Sequence, residues 1–124
     1  MNGTRYLIDT NVAIYLLAGD QKIGELLDGN QIFISFISEL ELLSFRKLTA
    51  REISILKEFL DDVIIIDINK KIKDLTIGIR RSYELKLPDA IIAATAKFLD
   101  MPLMTADQQF KNIEDPQILL YHTQ

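Results

Sequence analysis

The chain has 124 residues, of which 48% are apolar and 26% charged, with a formal net charge of −4 and no cysteine. This length suits one domain with its own hydrophobic core, which we expect to span residues 1–124. The acidic balance argues against a generic basic nucleic-acid binder, and the lack of cysteine excludes disulfides, thiolate metal sites and a cysteine nucleophile. The sequence shows no signal-peptide pattern and no membrane-length apolar stretch, so we expect a cytoplasmic protein without membrane contact.

The first predicted element is a short apolar run, Tyr6-Leu7-Ile8, that ends at Asp9. Such a run is typical of a strand buried on both faces. A helical pattern opens at Asn11, continues over Val12–Ala18 and stops at Gly19. Ligands of open α/β sheets bind at the carboxyl ends of strands. Asp9 is therefore a candidate functional acid, with a helix N-cap as the alternative interpretation.

The middle of the chain alternates between strand and helix patterns. Capping-box spacing, in which a Ser or Thr precedes a Glu by three residues, occurs twice. The predicted elements are a helical turn at Ile23–Leu27, a strand at Gln31–Ser35, helices beginning at the Ser38 and Thr49 capping boxes, a buried strand at Val63–Ile66 and a long helix capped by Asn69. Asp61-Asp62 interrupts the second of these helices.

The last third continues the alternation. Pro88 suits the first turn of a helix, and Ala90–Leu99 is so apolar that this helix should be buried on more than one side. A strand at Pro102–Thr105, a short helix at Asp107–Asn112 and a strand at Ile118–Leu120 follow. Alternating strands and helices imply parallel pairing with helices on both faces. We predict an α/β fold, a three-layer α/β/α sandwich with a mainly parallel sheet of about five strands.

Four acids occupy related positions in this topology. Asp9 and Asp107 follow strands, Glu41 lies in the helix after the second strand, and Asp89 heads the helix before the fourth strand. Each has a structural alternative: an N-cap for Asp9 and Asp107, the capping-box acid for Glu41, and a favourable macrodipole position for Asp89. Gathered at one sheet edge, they would repel one another and raise their pKa values. Mg²⁺ or Mn²⁺, which prefers oxygen ligands, relieves that repulsion.

Such a carboxylate site is typical of phosphodiester hydrolysis by metal-activated water, which needs no histidine or lysine base. The sequence lacks a dinucleotide glycine motif, a P-loop and a serine nucleophile elbow. Its only histidine, His122, is predicted to be a surface residue. Basic residues cluster at three places, where they form either a cationic rim around the acids or solvated helix faces: Arg46, Lys47 and Arg51; Lys70, Lys71 and Lys73; and Arg80, Arg81 and Lys86.

Four segments resemble the PIN domain, and specifically the VapC-like ribonuclease toxins of bacterial toxin–antitoxin pairs. They occur in the family's order and are Leu7–Asn11, Ile34–Leu43, Leu87–Ala96 and Leu103–Asp107 followed by Phe110. The resemblance implies a PIN-like fold and a Mg²⁺- or Mn²⁺-dependent endoribonuclease. Its catalytic and metal-binding acids would be Asp9, Glu41, Asp89 and Asp107, with Asn11 and Thr105 orienting them.

The resemblance also implies an RNA substrate, a homodimer, and inhibition by a small antitoxin whose tail enters the acidic pocket. One departure is local: many relatives have a glycine after the glutamate helix, where this chain has Ser44-Phe45.

Two alternatives belong to other functional classes. The first is a PIN-like domain that binds RNA or a partner without cleavage. The second is a phosphoacceptor receiver domain, in which Asp67, directly after Val63–Ile66, would be the phosphorylated acid. A receiver needs paired acids after its first strand, where Asp9 is followed by Thr10, and a lysine after a later strand, where this chain has Thr105-Ala106-Asp107. Asp67 is therefore interpreted as a structural cap.

Overall fold

The structure is a computed structural model that describes residues 3–122. Within this range the chain forms five strands, six α-helices and one 3₁₀ helix. In chain order they are β1 (Arg5–Ile8), α1 (Thr10–Leu17), α2 (Gln21–Leu27), β2 (Gln31–Ser35), α3 (Phe36–Leu43), α4 (Ala50–Asp62), β3 (Ile64–Ile66), α5 (Lys70–Ser82), α6 (Leu87–Leu99), β4 (Leu103–Thr105), the 3₁₀ helix (Gln108–Phe110) and β5 (Ile118–Leu120).

The five strands form one parallel sheet in the order β3-β2-β1-β4-β5, as the alternation of elements predicted. Strand β1 is central, since Leu7 pairs with Phe33 of β2 on one side and with Leu103 of β4 on the other. The chain moves outward from β1 to β3 and then returns to the other side of β1. In sheets of this kind, ligands bind where the strand order reverses, beyond the carboxyl ends of the strands. Asp9 follows β1 at that point.

Helices cover both faces of the sheet. Successive strand residues point to opposite faces, so Leu7 packs with α5 and α6, whereas Ile8 packs with α1 to α4. Helix α6 is buried along most of its length, because six of its residues from Ala90 to Ala96 are shielded from solvent. The predicted three-layer α/β/α architecture is confirmed. In the described part of the chain, the helices are too short or too polar to cross a lipid bilayer.

Most predicted helix starts are confirmed. Thr49 and Glu52 form the complete capping box of α4, with hydrogen bonds of 3.0 and 3.1 Å. Asn69 caps α5 by accepting from the Ile72 backbone N–H. Gly19 adopts a φ of +87° after α1, a conformation that favours glycine. Helix α4 continues to Asp62, so the two aspartates do not interrupt it.

Three further predictions are wrong in detail. Helix α3 begins at Phe36 and is capped by Ser35, whose Oγ accepts from the Ile37 N–H, so Ser38 lies inside the helix and not at its start. Strand β3 is an edge strand, and Ile64 is 43% exposed because β3 has a strand neighbour on only one side. The predicted helix at Asp107–Asn112 is shorter, a 3₁₀ helix at Gln108–Phe110.

Candidate functional site

One pocket beyond the carboxyl end of β1 contains all four predicted acids. Asp9 follows β1, Glu41 projects from α3, Asp89 lies in the first turn of α6, and Asp107 follows β4. The pocket is lined by Asp9, Thr10, Asn11, Ile14, Glu41, Phe45, Asp89, Ile92 and Asp107. Asp9 and Asp107 are about 100 positions apart in the sequence. The acids meet at one edge of the sheet because parallel strands all end at that edge.

Asp9 is held at both carboxylate oxygens. Its Oδ1 accepts from the Val12 N–H at 2.9 Å, which caps α1, and its Oδ2 accepts from the Thr105 hydroxyl. Burial raises the pKa of Asp9 most strongly, the Thr105 and Val12 hydrogen bonds oppose that rise, and the charges of Asp107 and Asp89 add to it. Asp9 is therefore both a helix cap and a wall of the pocket.

Asp89 is half-buried at the beginning of α6. Burial is the main cause of its raised pKa, and the negative charges of Asp107 and Glu41 raise the pKa further, while Lys86 lowers it. With the Asp9 interactions, these effects connect all four carboxylates electrostatically. Mutual repulsion of this kind is what the sequence predicted for acids that share one site.

Asp107 is linked to Asp9 through one threonine. The backbone N–H of Asp107 donates to Thr105 Oγ1 at 3.0 Å, and the same hydroxyl donates to Asp9. The Asp107 carboxylate also caps the 3₁₀ helix by accepting from the Gln109 N–H at 2.9 Å. Thr105 is fully buried, and its hydroxyl holds Asp9 and the backbone of Asp107 in place beside each other. The predicted orienting residue thus contacts a predicted acid.

Glu41 accepts a hydrogen bond from Thr10, which is itself linked to Ser38, and the sequence predicts no site role for either hydroxyl. Thr10 Oγ1 donates to Glu41 Oε1 at 2.6 Å, and Thr10 Oγ1 lies 2.9 Å from Ser38 Oγ. The sequence contained a signal, since Ser38 precedes Glu41 by three residues and therefore lies on the same face of a helix. The same spacing is also typical of a capping box, which the sequence predicts at this position. Asn11 also lines the pocket, but within residues 3–122 it makes no hydrogen bond to any of the four acids.

The donor chemistry of the pocket fits a hard divalent cation. Its charged groups are carboxylates, which Mg²⁺ and Mn²⁺ prefer. Burial is the main cause of the raised pKa values of Asp9 and Asp89, and neighbouring negative charges, which a cation would offset, raise them further. In this conformation, no group of three or more Asp, Glu, His or Cys side chains within residues 3–122 forms a closed metal-ligand cluster. The residues of the pocket therefore provide suitable donors for such an ion.

Asp67 lies away from these acids. It follows edge strand β3, is exposed, and its carboxylate accepts from the Ile68 N–H at 2.7 Å. In the flavodoxin-like strand order of receiver domains, 2-1-3-4-5, the third strand is central. Here β3 is at the edge, so the receiver interpretation does not agree with the observed topology.

Comparisons with known proteins bear on the family and the fold. The family model for the PIN domain matches residues 6–116. A comparison with curated protein sequences found no match.

Among solved structures, a chain of a toxin–antitoxin complex from Klebsiella pneumoniae is 30% identical, with a TM-score of 0.76 over 92% of this chain and 95% of that chain. A chain of VapBC2 from Rickettsia felis, bound to a promoter DNA fragment, is 24% identical. Its TM-score is 0.79, and the match covers 96% of this chain and 100% of that chain. A chain of VapBC-1 from nontypeable Haemophilus influenzae is 22% identical. Its TM-score is 0.74, and the match covers 94% of this chain and 98% of that chain. The chain therefore belongs to the PIN domain family, as its sequence motifs predicted.

Proposed function

We propose that this chain is a Mg²⁺- or Mn²⁺-dependent endoribonuclease and the toxin of a toxin–antitoxin pair. The observation that carries the proposal is the meeting of Asp9, Glu41, Asp89 and Asp107 in one pocket at the carboxyl edge of the central strand. Membership of the PIN domain family supports the reaction class, since PIN domains are generally nucleases. The reaction would be hydrolysis of an RNA phosphodiester bond.

Each acid has a distinct position in the proposed mechanism. Asp9, whose two carboxylate oxygens both accept hydrogen bonds, would be a firmly held metal ligand at the floor of the pocket. Asp89 and Asp107 form the wall beyond β4, and Glu41 approaches from α3. A divalent cation held by these carboxylates would supply an activated water and stabilise the charge that develops on the leaving oxygen.

Because the pKa values of Asp9 and Asp89 are raised, we expect cation binding by the pocket to depend on pH. Asp9 and Asp89 have raised pKa values because of burial and neighbouring carboxylates. Ligating carboxylates must be deprotonated, so metal affinity should increase with pH until both acids are ionised. Among the residues that line the pocket, there is no histidine, lysine or cysteine. Proton transfer within the pocket therefore falls to carboxylates and water.

The proposed partner is a small cognate antitoxin. Three of the similar structures are described as toxin–antitoxin or VapBC assemblies, which supports a partner of this kind. An acidic pocket is electrostatically complementary to a basic side chain such as arginine. We also propose a homodimer and a cytoplasmic location, the latter supported by the absence of cysteine.

Metal dependence tests the proposal directly. Purified protein should cut RNA with Mg²⁺ or Mn²⁺ and lose that cleavage in EDTA, because in the proposed mechanism the bound cation supplies the activated water. The measurement is gel analysis of a defined RNA with each ion and with the chelator. Equal cleavage in EDTA would overturn the metal mechanism. RNA binding without cleavage under every metal condition would favour the alternative of a PIN-like binding domain.

A further inference from the structure

We propose that Ser38 and Thr10 form a directed hydrogen-bond relay that positions Glu41 in the pocket. Thr10 is the positioning residue, and Ser38 acts through it. This inference rests on the proposed function, because it assigns the relay a part in holding a divalent cation.

Counting protons fixes the direction of the relay. Thr10 has a single hydroxyl proton, and an ionised carboxylate can only accept a hydrogen bond. At 2.6 Å, Thr10 Oγ1 therefore donates to Glu41 Oε1. The contact of 2.9 Å between Thr10 Oγ1 and Ser38 Oγ must then use the proton of Ser38. The order is Ser38 to Thr10 to Glu41, in which each hydroxyl polarises the next.

Burial increases from one end of the relay to the other. Glu41 is exposed, Thr10 is half-buried and Ser38 has no exposed surface. An exposed glutamate has many rotamers in water, and its ordering costs conformational entropy. The Thr10 hydroxyl, which is held by the buried Ser38, favours one orientation of the Glu41 side chain. Its hydrogen bond to the charged carboxylate is also stronger than a hydrogen bond between neutral groups.

The relay also connects two segments of the pocket wall. Thr10 is the first residue of α1 and follows Asp9 directly, whereas Ser38 and Glu41 lie one turn apart in α3. The Thr10–Glu41 bond spans 31 residues of sequence. Thr105 makes an equivalent connection between Asp9 and the Asp107 loop. Threonine hydroxyls thus fix both Glu41 and Asp107 relative to the chain around Asp9.

The test compares Thr10→Val with Thr10→Ser. Valine has the shape of threonine without its hydroxyl, whereas serine retains the hydroxyl. We expect Thr10→Val to bind Mn²⁺ about 10- to 100-fold more weakly, the range observed when an outer partner of a metal ligand is lost. Thr10→Ser should remain within about threefold of the wild type, by the same reasoning. Mn²⁺ binding is measured by electron paramagnetic resonance, without RNA.

Two further variants separate positioning from general structure. Thr76→Val is the matched control, because Thr76 is a buried threonine of α5 that bonds to the Ile72 carbonyl. It should leave Mn²⁺ affinity unchanged. Ser38→Ala should weaken Mn²⁺ binding although Ser38 does not line the pocket. Added to Thr10→Val, it should cause little further loss, because residues in one network do not act additively.

The outcomes distinguish the relay from the proposed function. Wild-type Mn²⁺ affinity in folded Thr10→Val, alongside a wild type that binds Mn²⁺, would overturn the relay alone. If Thr10→Val does not fold, Ser38→Ala decides, and unchanged affinity there overturns the relay. A wild type that neither binds Mn²⁺ nor cuts RNA would overturn the proposed function, and the relay with it.

Discussion

The acid pocket has an apolar neighbour of similar size and opposite chemistry. Each encloses about 600 Å³, including space open to solvent, and the two share Ile14 and Phe45. The apolar groove lies between α1, α3 and α4 and is lined by Ile14, Leu17, Ala18, Leu42, Phe45, Leu48, Glu52, Ile55 and Leu56. The acid pocket collects its residues from four separated segments, whereas the groove is built from two.

The two regions make opposite contributions to stability. Burial of Leu42 and Leu56 in the groove stabilises the fold, by about 1.5–3 kcal/mol for a fully buried leucine. Burial of Asp9 works against the fold at neutral pH, as its raised pKa indicates. Buried carboxylates with raised pKa values are typical of functional sites, so function is expected in the acid pocket and not in the groove. Three predictions test this comparison, beginning with the largest expected effect.

Asp9→Asn should reduce RNA cleavage by more than about 100-fold, since loss of a direct ligand should exceed the 10- to 100-fold effect of an outer one. The fold should survive, because the asparagine oxygen can still cap α1 through the Val12 N–H. Cleavage assays and circular dichroism measure the two properties. Asp67→Asn is the matched control and should cut RNA at the wild-type rate, since Asp67 does not line the pocket. Wild-type cleavage by Asp9→Asn would remove Asp9 from the site.

Leu56→Ala should lower the free energy of unfolding by about 2–5 kcal/mol, as expected for a buried leucine. Urea unfolding measures this change. The folded fraction should cut RNA at the wild-type rate, because Leu56 lines the groove and not the acid pocket. Leu26→Ala, at an exposed position of α2, is the control and should change stability by less than about 0.5 kcal/mol. A specific loss of cleavage in folded Leu56→Ala would show that the two regions are not separable.

The smallest expected effect is a pH-dependent gain of stability in metal-free protein. The folded-state pKa values of Asp9 and Asp89 lie above the ordinary value of 3.8, so the folded state binds more protons than the unfolded state between those values. Their contribution to stability therefore falls as pH rises through that interval. In EDTA at neutral pH, Asp89→Asn should melt at a higher temperature than the wild type, and the difference should disappear below about pH 3.8.

Excess Mn²⁺ should reverse this order by stabilising the wild type, by about 2.7 kcal/mol at 100 times the dissociation constant. Thermal melting at several pH values, with and without Mn²⁺, gives the comparison. A wild type that is more stable than Asp89→Asn in EDTA at neutral pH would contradict the sign derived from the raised pKa.

The sequence by itself determined the elements and the topology class. Alternating apolar runs and capping residues identified all five strands, and the Thr49 and Asn69 caps were correctly placed because a side chain and a nearby N–H decide them locally. The motifs from Leu7 to Phe110 also indicated the family, which the PIN domain match confirms. The four acids could be proposed together because parallel strands bring their carboxyl ends to a common edge.

Only the tertiary structure decided which residue caps α3 and which strand lies at the edge of the sheet. Ser38 has the spacing of a cap, but packing buries it beside Thr10, so Ser35 caps α3 instead. Likewise, Val63–Ile66 has the pattern of a buried strand, but its place at the sheet edge leaves Ile64 exposed. Both outcomes depend on contacts between residues far apart in sequence, which no local pattern contains. The same long-range contacts join Thr10 to Glu41 and Thr105 to Asp9, and so determine the shape of the acid pocket.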